Sequence, residues 1–113
     1  MRYKIVLVPF PFDDFSSFKV RPAICLTDKI GKFEHVVIAF ITSQLKGDKS
    51  ASDIVIEKAS KHFERTGLKV TSSIRLHRLV TVPVELIKRE LGVASLPLQK
   101  EIKLKLKELF ELK

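Results

Sequence analysis

The run His35–Thr42 (HVVIAFIT) constrains the fold more than any other stretch, because its interior is apolar on both faces of an extended chain. β-Branched residues favour a strand, and a strand without a polar face must be covered on both sides. Such a position exists at the centre of a small barrel or beneath a partner subunit. The run therefore predicts the central strand of a mainly β protein.

Shorter patterns on either side predict further strands. Their apolar and β-branched residues are bounded by proline, glycine or aspartate, which end strands and form turns. The predicted strands cover residues 3–8, 22–27, 53–57 and 71–82. In the last of these the alternation slips near Leu79, which predicts a bulge or a sharp bend between two short strands.

The second half of the chain carries the helical patterns. Residues 58–69 predict a turn or a single helical turn stopped by Gly67, and Pro83 predicts a short helix over 83–91 that Gly92 ends. A C-terminal helix over 96–113 has an apolar stripe at spacings of three and four. The stripe consists of Leu98, Ile102, Leu106, Leu109 and Phe110, and Leu104 lies opposite it. Together the elements predict a small, strongly bent antiparallel sheet or barrel with a short helix and a C-terminal helix appended.

Length and composition limit the classes of function. The 113 residues predict a single domain over 1–113. A net charge of +8 favours polyanionic partners such as nucleic acid, with a basic but solvated surface as the alternative that charge alone does not exclude. The single cysteine, Cys25, lies in an apolar run, which predicts a buried thiol and a reducing, cytoplasmic setting. No apolar run is long enough to span a membrane, and the prolines near the N-terminus argue against a signal peptide.

The loop between the first two predicted strands holds four of the eight phenylalanines. A loop of this composition either folds back on the core or offers aromatic surface to a ligand. At its exit Arg21 precedes Pro22, which holds the arginine extended and its guanidinium in a defined direction. Arg21 is therefore a candidate for binding an oxyanion.

Most catalytic motifs are absent from the sequence. The histidines His35, His62 and His77 are scattered, and there is no metal-binding, nucleophile-elbow or phosphate-loop motif, so we expect no metal and no cofactor. A basic and aromatic set remains, with nearby hydroxyl groups: the loop phenylalanines, Lys19, Arg21, Thr42, Ser43, Arg75 and Arg78. Arginine matches phosphate and aromatic rings stack on bases, which favours single-stranded nucleic acid. The alternatives are that the phenylalanines plug the barrel, that the arginines of residues 71–82 are simply solvated, and that Thr42 caps the following loop.

The sequence resembles the MazF/PemK family of toxin ribonucleases from type II toxin–antitoxin pairs. The resemblance covers nearly the whole chain. It lies in IVLVPFPF, SSFKVRPAICL, AFITS, DIVIE, GLKVTSSIR and LVTVPVELIKRELG. The ordered pair of KVRP and ITS on two predicted strands is the most specific part.

This resemblance implies an SH3-like antiparallel barrel, a homodimer, a cognate acidic antitoxin, and metal-independent cleavage of single-stranded RNA at short sequences. Cleavage in the family uses the 2′-hydroxyl as nucleophile and leaves a 2′,3′-cyclic phosphate. The family's catalytic residues fall on Arg21 and Thr42. The positions implied for RNA binding are Phe12, Lys19, Ser43, Ser72 and Arg75.

The sequence also departs from the family pattern. Tyr3 and Lys4 replace the usual Gly-Asp or Gly-Glu, Val80 stands where a basic residue is common, and His77 stands where an acidic one is frequent. The general base is unassigned, and His77 is a candidate because its ordinary pKa suits proton transfer near neutral pH. Two alternatives are a non-enzymatic toxin on the same fold that binds a protein such as DNA gyrase, and a structural nucleic-acid binder.

Overall fold

The computed structural model describes residues 1–9, 20–47 and 49–113. In these residues six strands form one antiparallel, curled half-barrel sheet in the order β4-β5-β3-β2-β1-β6. The strands are β1 (Lys4–Pro9), β2 (Val20–Cys25), β3 (His35–Thr42), β4 (Asp53–Ile56), β5 (Ser72–Pro83) and β6 (Arg89–Val93). Two helices accompany the sheet, α1 (Phe63–Thr66) and α2 (Leu96–Leu109). The predicted mainly β fold with two helices is confirmed, although the short helix is α1 and not the one predicted over 83–91.

The central strand is the one that the sequence predicts. β3 has neighbours on both edges, β2 and β5. Its side chains alternate between two buried clusters: Ala39 and Ile41 enter one, while Ile38 and Phe40 enter the other. Its apolar residues on both faces are explained by a sheet that is covered on both sides.

Each face of the sheet has its own core. The helix-side core is packed by α2 through Ile102, which is 0% exposed. Its buried residues are Ile5, Ile24, Ala39, Ile41, Ile54, Ile56, Phe63, Ile74, Leu76, Ala94 and Ile102. The second core lies on the opposite face. It consists of Val6, Val8, Ala23, Cys25, Val36, Ile38, Phe40 and Val82.

The predicted irregularity in the fifth strand is present. β5 is one strand of 12 residues rather than two short ones, and its pairing with β3 shifts register between Ala39 and Ile41. Before the shift Ile74 and Leu76 face the helix-side core, whereas after it Val82 faces the second core. The bulge therefore lets a single strand serve both cores.

The prediction of a helix over 83–91 is wrong. Only Val84–Leu86 form a 3₁₀ turn, and the chain then extends into β6, which pairs with β1. Lys88 N donates to Leu7 O at 2.8 Å at the start of this pairing. The open edge of β1 offers a row of backbone hydrogen-bonding groups, and satisfying them outweighs the local helical preference of VELIKREL.

Helix α2 agrees with its sequence pattern over most of its length. Ser95 caps it by accepting a bond from Leu98 N at 3.4 Å, and Ile102 faces the core while Leu104 is 59% exposed. The helix ends at Leu109, and Phe110 is 55% exposed and so does not join the apolar stripe. Across the described ranges no helix combines the length and apolarity that a membrane span requires.

Candidate functional site

Arg21 and Thr42 lie on adjacent strands. β2 and β3 pair Ala23 with Phe40 and Ile24 with Ala39, and the same register continued by two residues sets Arg21 opposite Thr42. Residues opposite each other in an antiparallel pair have Cα atoms about 5 Å apart and side chains on the same face. Both side chains are half-buried. The two predicted catalytic residues, 21 positions apart in the sequence, are therefore neighbours.

This row of residues continues across the sheet. Thr42 pairs with Ser73 on β5, and Arg21 pairs with Val8 on β1. Val8 belongs to the second core, and so do Ala23 and Phe40, the alternate neighbours of Arg21 and Thr42. The row therefore lies on the same face of the sheet as the second core. It lies at the edge of that core, where buried apolar side chains are followed by polar ones. We call the residues Arg21, Thr42 and Ser73 the polar row.

Thr42 has a structural role as well. Its Oγ1 accepts a hydrogen bond from Gln44 N at 3.0 Å, so it caps the loop that follows β3 as one of the alternatives predicts. A hydroxyl group has one donor hydrogen and two lone pairs, and this bond occupies one lone pair. Capping the loop therefore leaves the hydroxyl able to donate.

Ser72 and Ser73 differ in their surroundings. Ser72 is 3% exposed, and its Oγ donates to Val70 O at 2.9 Å. It alternates with Ser73 and so faces the helix-side core, away from the polar row. The structure brings Ser73 to the row instead. The alternation of Ile74 and Leu76 with Arg75 and His77 in the sequence is a signal from which Ser73 could have been found.

Arg75 lies two residues along β5 from the polar row and on the same face. Its Nε is 3.1 Å from Oδ1 of Asp53, the residue that pairs with it on β4. The Asp53 side chain is only 6% exposed. Asp53 could not have been recognised from the sequence, because nothing in DIVIE distinguishes its first residue from a turn aspartate.

His77 takes part in a polar cluster rather than joining the polar row. Its Nδ1 is 3.2 Å from Ser52 Oγ, 3.4 Å from Ser50 Oγ and 3.7 Å from Asp53 Oδ1. His77 lies four residues along β5 from Ser73, in the stretch where the pairing of β5 with β3 shifts register. Thr42 pairs with Ser73 and not with His77.

The remaining predicted site residues are less informative. Ser43 is exposed just beyond β3. Phe12 and Lys19 lie outside the described residues. Within the described part of the chain, no three His, Cys, Asp or Glu side chains group together as metal ligands would.

Cys25 lies in the second core, two residues from Ala23. It is a free thiol that is 0% exposed, and burial raises its pKa to about 11. A thiol with so high a pKa is protonated at neutral pH and is a poor nucleophile. Cys25 is therefore not a candidate nucleophile on this face.

The sequence matches a family profile over residues 1–110, described as "PemK-like, MazF-like toxin of type II toxin-antitoxin system". The chain belongs to this family. The resemblance found in the sequence motifs is thereby confirmed. No curated protein shows a significant sequence match to the chain.

Solved structures with the same fold include two mycobacterial proteins. Mycobacterium tuberculosis toxin MazF-mt6 superposes with a TM-score of 0.73 at 20% identity, over 97% of this chain and 98% of that one. An endoribonuclease from a mycobacterial species, solved in complex with its cognate antitoxin, superposes with a TM-score of 0.74 at 11% identity, over 100% and 96% of the two chains. At such low identity these matches concern the fold of this toxin-family chain.

Proposed function

We propose that this protein is a sequence-specific, metal-independent endoribonuclease that cleaves single-stranded RNA as the toxin of a toxin–antitoxin pair. The observation that carries the proposal is the antiparallel register of β2 and β3, which pairs Ala23 with Phe40 and, continued by two residues, sets Arg21 opposite Thr42. Family membership and the net charge of +8 support it. A guanidinium beside a hydroxyl donor is suited to binding a phosphodiester group.

The proposed reaction is a transphosphorylation. The 2′-oxygen attacks the adjacent phosphorus, the bond from phosphorus to O2′ forms, and the bond from phosphorus to O5′ breaks. A base accepts the 2′ proton and an acid protonates the 5′-oxygen, which leaves a 2′,3′-cyclic phosphate and a 5′-hydroxyl. Between the attack and the departure of the 5′-oxygen the phosphorus is pentavalent, and negative charge builds up on its non-bridging oxygens. Hydrogen-bond donors that are fixed beside these oxygens therefore accelerate the reaction.

Arg21 supplies such donors. It scarcely deprotonates in proteins, so it stabilises the pentavalent intermediate rather than acting as the base. A fixed donor directed at developing charge contributes about 3 to 4 kcal/mol to lowering the barrier. Thr42 donates its hydroxyl hydrogen to the phosphate or to the 2′-oxygen, and its bond from Gln44 N holds the side chain in place.

Membership of the toxin family also suggests which molecules this protein binds. One structural relative was solved with its cognate antitoxin, and we propose that an acidic antitoxin segment covers the basic face of this protein and folds on binding. We also propose that the protein is a homodimer in the cytoplasm. Ser43, Arg75, Phe12 and Lys19 remain proposed RNA contacts.

The test is cleavage of a long RNA by purified protein in excess chelator. We expect cuts at a short recurring sequence with cyclic phosphate ends, and a drop of roughly 100- to 1,000-fold in the cleavage rate for Arg21→Ala. Arg89→Ala is the matched control, because Arg89 is an exposed arginine at the far edge of the sheet, paired with Leu7 of β1. Its rate should equal that of the wild type.

Two results oppose the proposal. If Arg21→Ala cuts as fast as the wild type, Arg21 has no catalytic role. If the wild-type protein leaves the RNA intact and instead forms a stable complex with a protein target such as DNA gyrase, the non-enzymatic alternative replaces the ribonuclease.

A further inference from the structure

Asp53 is a buried carboxylate at the start of an edge strand. Its Oδ1 lies 3.1 Å from Arg75 Nε and accepts a bond from Ser50 Oγ at 3.2 Å. Its Oδ2 accepts a bond from Ser50 N at 3.1 Å. With a side chain that is only 6% exposed, the carboxylate has exchanged most of its hydration for these partners.

Stability alone is a weak explanation for such a group. Removing a carboxylate and a guanidinium from water costs about as much free energy as their attraction returns, and an apolar pair often serves a fold equally well. A buried ion pair does fix orientation, however. The guanidinium is planar, so fixing its Nε edge also fixes the plane of its other donors.

The orientation matters because of where Arg75 lies. Arg75 is two residues from Ser73, which pairs with Thr42, and the side chains of Ser73 and Arg75 share a face. A shallow depression next to them is lined by further cations, Lys46 and Lys49. Asp53 lines the same depression beside Arg75, as a carboxylate among these cations.

His77 is held by the same cluster. Ser52 Oγ and Ser50 Oγ both approach its Nδ1, so the opposite edge of the imidazole, with Nε2, points away from them. The segment that carries these serines is tied down on its other side, since Lys105 Nζ of α2 donates to Ala51 O at 2.8 Å. The cluster is therefore anchored to β4, β5 and α2 together.

We propose that Asp53 is a positioning residue for RNA binding, which holds Arg75 in a second subsite that His77 completes beside the polar row. This inference rests on the proposed ribonuclease function. The subsite takes the phosphate and base of a nucleotide next to the cleaved bond: Arg75 binds the phosphate and the ring of His77 stacks on the base. His77 lies four residues along β5 from Ser73, which sets this nucleotide apart from the one that reacts.

A subsite away from the reacting phosphate affects binding more than chemistry. Asp53→Asn keeps the size of the side chain and one oxygen for Ser50, but it removes the charge that holds Arg75. We expect RNA to bind about 5- to 30-fold more weakly, as is usual for the coupling between two residues in contact. The single-turnover cleavage rate at saturating protein should change less than about threefold, since interactions lost equally from ground and transition states leave it unchanged.

The binding probe is a fluorescent single-stranded RNA of 20 nucleotides that spans a mapped cleavage site and carries 2′-deoxyribose at the cleaved position. Binding is measured for the wild type, Asp53→Asn, Arg75→Gln and the double variant. If Asp53 acts through Arg75, Asp53→Asn weakens binding less than about twofold in the Arg75→Gln background. Glu57→Gln is the matched control, because Glu57 is an exposed carboxylate just after the same strand, and it should bind as the wild type does.

Three results overturn the proposal: wild-type affinity in Asp53→Asn, an equal loss in both backgrounds, or a loss of the cleavage rate with unchanged affinity. Circular dichroism and the melting temperature check that each variant folds. If Asp53→Asn does not fold, Asp53→Glu takes its place, because it keeps the charge but moves it by one methylene. Wild-type affinity in Asp53→Glu would then overturn the proposal. Failure of the wild-type protein to cut RNA is a separate outcome, which refutes the proposed function itself.

Discussion

Thr42 combines two tasks in one hydroxyl group. It accepts a bond from Gln44 N, which shapes the loop after β3, and its register puts it opposite Arg21. A valine at this position keeps the branched shape that suits a strand but loses both the acceptor and the donor. The residue therefore links the local turn to the proposed chemistry.

We predict that Thr42→Ser keeps RNA cleavage within about tenfold of the wild type, whereas Thr42→Val slows it by roughly 100-fold, the effect of losing one fixed donor. Single-turnover rates measure the difference. Melting temperatures of the two variants within a few degrees of each other show that it is not a folding effect. Equal rates for serine and valine would argue that the hydroxyl serves only the loop.

Cys25 should be inert in the native protein. Its burial and its pKa of about 11 keep the thiol protonated, so at pH 8 we expect a thiol reagent to react roughly 100-fold more slowly with the folded than with the unfolded chain. The raised pKa also means that this group stabilises the fold below about pH 9 and loses that effect as the pH rises toward 11. The unfolding free energy of the wild type relative to Cys25→Ala, measured from pH 7 to 10.5, should fall accordingly. Fast labelling of the native thiol would contradict the buried position.

Strand β6 illustrates how packing between elements overrides local preference. A Cβ on Gly92 would lie 2.0 Å from Arg65 O, so the strand and the end of α1 approach as closely as only glycine permits. Gly67, at φ +73, ends α1 and makes the reciprocal contact, with Leu91 O 2.1 Å from where its Cβ would be. The two glycines thus allow the chain after β5 to lie against α1 as a strand.

Helix α2 offers a matched pair of substitutions. Ile102 is 0% exposed in the helix-side core, and Leu104 is 59% exposed two residues later. We predict that Ile102→Ala lowers the unfolding free energy by about 2 to 5 kcal/mol because it leaves a cavity. Leu104→Ala should change it by less than about 0.5 kcal/mol, as at other exposed positions. Denaturant unfolding measures both, and similar losses would mean that Leu104 is covered in solution by a second chain.

At the scale of the whole molecule, the charge of +8 should dominate RNA binding. For single strands the logarithm of the binding constant falls with the logarithm of the salt concentration by about 0.7 per phosphate neutralised. We predict a clearly negative slope for the uncleavable RNA, reduced by about 0.7 in Arg75→Gln and unchanged in Arg89→Ala. Titrations from 50 to 300 mM salt measure the slopes, and a slope near zero would exclude phosphate-led binding.

Much of the fold could be predicted because its signals are local. The two-faced apolar run of β3, the register slip in β5 and the 3.6-residue stripe of α2 each depend on periodicity within a few residues. The prediction of a helix over 83–91 was wrong because it, too, depended on a local signal. Its sequence is locally helical, and the partner that makes it a strand is β1, some 80 positions earlier in the chain.

By itself, the sequence determined that the chain forms a basic, mainly β domain of the MazF/PemK kind and that Arg21 and Thr42 lie at strand ends. Only the tertiary structure decided that the register of β2 and β3, continued by two residues, brings these two residues opposite each other, that Ser73 rather than Ser72 shares their face, and that Asp53 lies 3.1 Å from Arg75. The physical reason is that side-chain direction along one strand follows from alternation. Which strands are neighbours, and in which register, follows from pairing and packing between distant segments.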